Sequence, residues 1–192
     1  AFQDLQSALN IAAPGQQIWI AKGIYMPTTE AYPGFPRSAS FQMINNVGIY
    51  GGFSGTEESL SERILMSNVT YLSGDIGIPG DDTDNAYHVF YHPEGINLDN
   101  TATLNDVTIT KGRTLKITDT TGLPEIDIQS TLRYLSGSGM LNHKSHPTLV
   151  NVIFEDNVSN LQGGGMHNDE SSPNLTNVIF KNNTTENSGG GG

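Results

Sequence analysis

Four aspartates crowd one short stretch of the chain. Asp75, Asp81, Asp82 and Asp84 lie in SGDIGIPGDDTDNAYH. Carboxylates spaced through a glycine-rich loop are oxygen ligands for Ca2+, with backbone carbonyls and Asn85 completing the shell. The spacing is not that of an EF-hand loop, and the competing reading is a solvated acidic turn. Ca2+ is the one cofactor these residue types point to. Glycoside hydrolysis needs two carboxyls facing each other across a groove. Stacked strands could pair Asp127 with Glu155, yet nothing in the sequence selects that pair or any other. Five histidines, His88, His92, His143, His146 and His167, raise a transition-metal site, which needs converging ligands. Aligned by the repeat described next, His143 falls on Asp169 and His167 on Leu141, so the two do not stack. The expectation is surface histidine there, whereas His88 and His92 bracket a strand on one face, where Tyr87, Val89 and Phe90 read as ordinary packing. Gly163-Gly164-Gly165 lacks the Lys-Ser/Thr of a phosphate cradle and reads as a tight turn. No catalytic residue is assigned.

The elements that position these groups are set by a repeat. GMLNHKSHPTLVNVIFEDNVSNLQGG, residues 139–164, is followed without a gap by GMHNDESSPNLTNVIFKNNTTENSGG, residues 165–190, and 13 of 26 positions are identical. A short apolar strand plus turns at this period is one coil of a solenoid. Met140 aligns with Met166, Leu149 with Leu175, Val152 with Val178 and Phe154 with Phe180. Asn142, Asn151 and Asn157 align with Asn168, Asn177 and Asn183. Like apolar residues stack into an interior, and like asparagines form amide ladders. Val152 and Phe154 are two apart, as one strand face requires. Leu149 is three from Val152, so the alternation slips at Asn151. Asn tolerates left-handed backbone, which predicts corners at Asn151 and Asn177. An earlier, degenerate copy runs Thr103 to Ile109, with Asp106 in the corner position. Its offset to the next copy is 45 residues rather than 26. The excess predicts an inserted loop over 111–138, which solenoids tolerate.

Composition narrows the functional classes. The chain has 192 residues, 15% of them charged, with 22 Gly and a net charge of −11. This suits one turn-rich β domain. The negative charge excludes a nucleic-acid footprint, and no apolar run approaches a membrane span. Nine Lys plus Arg mean that an anionic polysaccharide would need a bridging cation. The chain has no Cys, which removes disulfides, thiol catalysis and Cys–zinc sites. Sequons at Asn68, Asn157, Asn174, Asn182 and Asn183 are potential glycan acceptors, with Asn157 and Asn183 better explained as ladder positions.

Along the chain, Phe2 to Ala13 predicts an amphipathic helix ended by Pro14-Gly15, within a cap segment 1–14. Residues 15–110 predict N-terminal coils. Ile18 to Ala21 reads as a buried strand, followed by Ile24-Tyr25 and an excursion loop from Pro27 to Arg37. Phe41 to Ile44 and Val47 to Tyr50 read as strands, and Gly51-Gly52-Phe53 as a sharp bend. Glu57 to Met66 is weakly helical. Val69 to Leu72, Tyr87 to Tyr91 and Ile96 to Leu98 complete the strands, and 139–192 carries the 26-residue repeats. By the repeat, Gly191 should begin another coil, so the chain reads as a fragment of something longer, the alternative being another subunit that covers this end.

Two motifs carry a resemblance. Phe154-Glu155-Asp156-Asn157 and Phe180-Lys181-Asn182-Asn183 fit an FxxN pattern, and Gly163-Gly164-Gly165-Met166 resembles a GGA-hydrophobic motif. Together they resemble the repeats of bacterial polymorphic outer-membrane proteins. LQSALNIAAPGQQIWIAKGIYMPT, RSASFQMINNVGIYGGFSGTE and LSGDIG are similar to secreted bacterial right-handed parallel β-helix proteins of the pectin-lyase-like superfamily. The resemblance implies an all-β right-handed parallel β-helix in an extracellular or cell-surface setting. It implies little about activity, because the fold carries lyases, hydrolases, adhesins and stalks alike. Lyases of this kind use Ca2+-binding carboxylates and a basic proton acceptor, whereas Arg37, Arg63, Arg113 and Arg133 are scattered. The expected role is a non-catalytic surface, matrix or adhesin-like module. Its partners would be a cell-surface or matrix protein, a polysaccharide, or further copies of itself in a fibre. The alternative is a carbohydrate-active enzyme or a carbohydrate-binding β-helix.

Overall fold

The computed structural model describes residues 2–116, 134–187 and 190. Its regular secondary structure is nearly all strand, arranged in parallel sheets. The strands are β1 (Gln17–Ala21), β2 (Gly23–Tyr25), β3 (Gly48–Phe53), β4 (Thr70–Ser73), β5 (Phe90–His92), β6 (Thr103–Asn105) and β7 (Thr108–Thr110). They continue as β8 (Met140–His143), β9 (Thr148–Val150), β10 (Ile153–Glu155), β11 (Val158–Ser159), β12 (Met166–Asp169), β13 (Asn174–Thr176), β14 (Ile179–Lys181) and β15 (Thr184–Thr185). A short helix, α1 (Leu5–Leu9), precedes them.

The strands sort by position in the repeat. One five-stranded sheet runs β1-β3-β6-β9-β13, and a second runs β2-β4-β7-β10-β14. A third holds β5-β8-β12, and β11 pairs with β15. All these pairings are parallel, and equivalent residues sit side by side. Leu149 is registered with Leu175 and with Leu104. Phe154 is registered with Phe180 and with Ile109. The 26-residue offset is therefore a physical register. Across the 111–138 stretch the 45-residue offset is kept too, although residues 117–133 lie outside those described.

Alternation fills one shared interior. Ile49, Leu104 and Leu149 from the first sheet, Leu72, Ile109 and Phe154 from the second, and Phe90, Met140 and Met166 from the third belong to one cluster. Burying each such side chain stabilises by roughly 2–3 kcal/mol. The corners between β9 and β10, and between β13 and β14, are Asn151 and Asn177, with φ of 55° and 52°. Asp106 turns the corner between β6 and β7 at φ 57°.

Several local expectations fail for identifiable reasons. The helix is five residues, not Phe2 to Ala13. The Asp4 carboxylate accepts from the Ser7 N–H at 2.7 Å and starts it late. Pro14 disfavours helical backbone at Ala13, and so short a helix persists only through packing. Leu5 and Leu9 are buried in the main core, while Phe2 and Ile11 are exposed. In β1 only Ile20 is buried, because β1 is an edge strand with period-two alternation. Phe41 makes a lone bridge to Phe90 rather than a strand, and the Met43 N–H donates to His92 Nε2 at 3.1 Å. Gly51 and Gly52 extend β3 instead of ending it. They pass opposite a bulge in the pairing with β1, and a Cβ on Gly51 would collide with the Asp106 carbonyl oxygen. Close approach of two backbones, not a bend, explains that glycine. Between Glu57 and Met66 only a 3-10 turn at Leu60–Glu62 forms. Residues 96–98 make no strand, and the strand expected from Tyr87 begins at Phe90.

Candidate functional site

The aligned asparagines meet one another. Asn142 Nδ2 donates to Asn168 Oδ1 at 2.8 Å, and Asn157 Nδ2 donates to Asn183 Oδ1 at 2.9 Å. Asn177 Nδ2 donates to Asn151 Oδ1 at 3.1 Å on the exposed corner. Phe154 and Phe180 stack with ring centroids 5.0 Å apart and planes inclined by 8°. Asn157 carries the most. Its Oδ1 accepts from the Gly112 N–H at 3.0 Å, and its Nδ2 also donates to the carbonyls of Ile109 and Glu155. It is wholly buried, so it joins three successive passes of the chain where water cannot substitute.

One row contains a histidine that the alignment of asparagines does not include. His92, Asn142 and Asn168 are register partners on the third sheet. Because the Met43 N–H donates to His92 Nε2, that nitrogen is the acceptor. Nδ1 therefore carries the proton and donates to Asn142 Oδ1 at 2.7 Å. The donors run in one direction, from Met43 through His92 and Asn142 to Asn168, and bonds in such a chain polarise one another. Burial lowers the His92 pKa to about 4, against the opposing bond to Asn142.

The expectation of surface histidine is corrected at His143, and the His88–His92 pair lies in the packed interior. His88, His92 and His143 are buried. His88 Nδ1 donates to the Gly137 carbonyl at 3.0 Å, and burial lowers its pKa to about 4. Its Nε2 is buried with no hydrogen-bond partner among the described residues. His143 Nδ1 lies 2.6 Å from Asp169 Oδ2, its registered neighbour. Glu94 approaches the other side of the ring at 3.9 Å and pairs with Lys144 at 3.0 Å. The sequence carries a signal for one of them: His92 is two residues from Phe90 and so shares its inward face.

The acidic stretch is spread along its own loop. Asp75 accepts from the Gly80 N–H at 3.1 Å, and Asp84 from the Ile78 N–H at 2.7 Å. Asp81 accepts from the N–H and hydroxyl of Thr83, which lowers its pKa. Asp82 pairs with Arg113 at 3.2 Å, and the same guanidinium reaches Glu186 at 2.7 Å. Asn85 offers its carbonyl to Arg37 rather than to a shared centre. Among the described residues no three His, Asp or Glu converge as metal ligands. The four aspartates close turns and anchor an arginine. Asp127 and Arg133 lie outside the described residues.

Another arginine clamps the first sheet. Arg63 donates to the Gly51 carbonyl at 3.0 Å and to Asn105 Oδ1 at 2.9 Å. Its guanidinium lies over the rings of Tyr50 and Phe53. Beside it, burial raises the Asp106 pKa, although the Met66 N–H and Arg63 oppose the shift. No protein-family model, curated protein or solved structure matches this chain.

Proposed function

We propose that the chain is a right-handed parallel β-helix serving as a non-catalytic, extracellular surface or matrix module of adhesin-like character. The observation that carries this reading is register. The pass at 139–164 lays Leu on Leu, Phe on Phe and Asn on Asn of the next at the 26-residue offset, and the pass before it keeps the same register with Leu104 and Ile109. Parallel strands joined in sequence need crossover connections, and these are right-handed in nearly every known case. Winding from the first sheet to the second and back gives a rod that advances about 4.8 Å per coil. In this reading α1 seals one end through Leu5 and Leu9.

The polar side chains support a scaffold role. Asn142 and Asn157 bond to their counterparts inside the stack, and Asp75, Asp81 and Asp84 of the acidic loop accept from local N–H groups. Partner specificity then falls to the loops, which vary while the scaffold holds position. At the far end Leu175, Ile179 and Phe180 are exposed, and contacts there that do not close would propagate into fibres.

The reading is tested in the cells that make the protein and on the purified chain. Biotinylation of intact cells should label it without lysis. A panel of polysaccharides should yield no new reducing ends and no unsaturated product. Labelling only after lysis, or turnover abolished by one carboxylate substitution, would overturn it.

A further inference from the structure

β1 is the last strand of its sheet at the end near α1. It has β3 on one side and, among the described residues, no strand on the other. Such an edge presents a row of N–H and C=O groups that accept another strand. This edge opens into a cleft of about 680 Å³ between β1 and α1. The α1 side contributes Phe2, Ala8, Ile11 and Ala12, and the β1 side contributes Ile18 and Ile20. Phe2 and Ile11 are 56% and 67% exposed there. The rim is rigid: Trp19 lies flat on Phe53, centroids 4.9 Å apart at 11°, and its indole N–H donates to Gln17 Oε1.

Two observations choose the occupant. First, Asp4 and Glu57 line the cleft, and among the described residues no Lys or Arg does. Both carboxylates stay ionised, since N–H groups of Ser54 and Gly55 hold Glu57 down to about 2 and Ser7 lowers Asp4. Second, Leu5 and Leu9 already fill the interior at this end. A second stack of strands could not seat its own core against β1, whereas a single strand lying along the edge could.

We infer that the β1 edge docks one extended, cationic strand of a partner polypeptide, added through main-chain hydrogen bonds. The mode is β-augmentation, in which backbone bonds give affinity and alternate side chains give selectivity. The five residues of β1 offer about 17 Å of edge. Side chains registered with Ile18 and Ile20 are aliphatic. Those registered with Gln17 and Trp19 face outward, and basic residues in the strand match the charge of Asp4 and Glu57 in the cleft lining. The site stands on sheet order and cleft chemistry alone, so its failure would leave the scaffold reading untouched.

The probe is a fluorescein-labelled peptide, Thr-Val-Lys-Ile-Thr-Val-Lys, followed by anisotropy with the whole chain. Trp19 is the only tryptophan, so unlabelled peptide should also change the intrinsic emission. N-methylation of one alternate set of peptide amides should weaken binding by up to about tenfold per bond removed, and methylation of the other set should not. Raising the salt through roughly the tenfold range that shortens the Debye length threefold should weaken it further. The inference is overturned by any of four results. These are no binding at about 1 mM peptide, equal loss from both methylated sets, equal binding of a peptide with Glu in place of Lys, or a Trp19 response to neutral oligosaccharides with none to the peptide. Concentration-dependent dimers that the peptide does not dissolve would make the occupant a second copy, and would overturn it too.

Discussion

Asn157→Ala separates ladder bonding from ordinary packing. The amide oxygen accepts from the Gly112 N–H, and the two hydrogens of Nδ2 are shared among the carbonyls of Ile109 and Glu155 and Asn183 Oδ1, which amounts to about three full hydrogen bonds. Each contributes about 1 kcal/mol net, and the buried Gly112 N–H left without its acceptor adds a desolvation cost. Truncation should therefore cost about 3–5 kcal/mol, a large part of a typical domain's 5–15 kcal/mol. Asn177→Ala is the contrast. Its amide bond to Asn151 is exposed, so little is lost with it, but Ala at φ 52° costs roughly 1 kcal/mol through the backbone. Asn177→Gly should then restore most of that loss, and Asn157→Gly should not rescue Asn157→Ala. Guanidinium denaturation followed by circular dichroism measures all four, with unchanged slope as the check on two-state unfolding. A cost below about 1 kcal/mol for Asn157→Ala, or one equal to that of Asn177→Ala, would refute the reasoning.

Phe154→Ala should cost about 3–5 kcal/mol because the ring is fully buried, whereas Phe180→Ala, open on one side, should cost about a third as much; denaturant midpoints decide it. Acid should destabilise the fold through His88 and His92. Both have folded pKa values near 4, below the unfolded value near 6.5, so the unfolded state binds more protons between those limits. Stability is full above about pH 6.5 and falls toward pH 4, by ~3 kcal/mol for each histidine; melting temperatures that stay flat across that window would contradict the buried neutral imidazoles. Because the four aspartates turn to separate partners, millimolar Ca2+ should leave the melting temperature unchanged, and a rise of several degrees would contradict the loop geometry.

The repeated half of the chain is legible because identity at a fixed offset reports stacking directly. Leu149 with Leu175 and Phe154 with Phe180 are neighbours in space for the same reason that they align. The corner at Asn151 is legible because one residue type both tolerates left-handed backbone and breaks the alternation. The N-terminal half is harder. Phe41 and Met43 alternate as a strand would, yet the Met43 N–H bonds to an imidazole 49 residues away, which no local pattern encodes. Gly51 looks like a bend, but its lack of Cβ serves the approach of the Asp106 carbonyl from another pass of the chain. His92 is placed by its position two residues after Phe90, but its bonds to Met43 and Asn142 come from other passes of the chain. In the acidic loop, crowding in sequence says nothing about where each carboxylate points. Only the Gly80, Ile78 and Thr83 N–H groups and Arg113 decide that.

Pulsed electron spin resonance between nitroxides at Gln17→Cys and Asn174→Cys tests the winding most directly, since the chain has no competing thiol. Gln17, Gly48, Thr103, Thr148 and Asn174 are successive register partners. Four strand spacings separate the labelled backbones, about 19 Å, although 156 residues lie between them in sequence. One narrow distance peak, near that value once the label tethers are included, is the expected result. A broad distribution, or a mean beyond about twice that distance, would mean that these passes of the chain do not lie one upon the next.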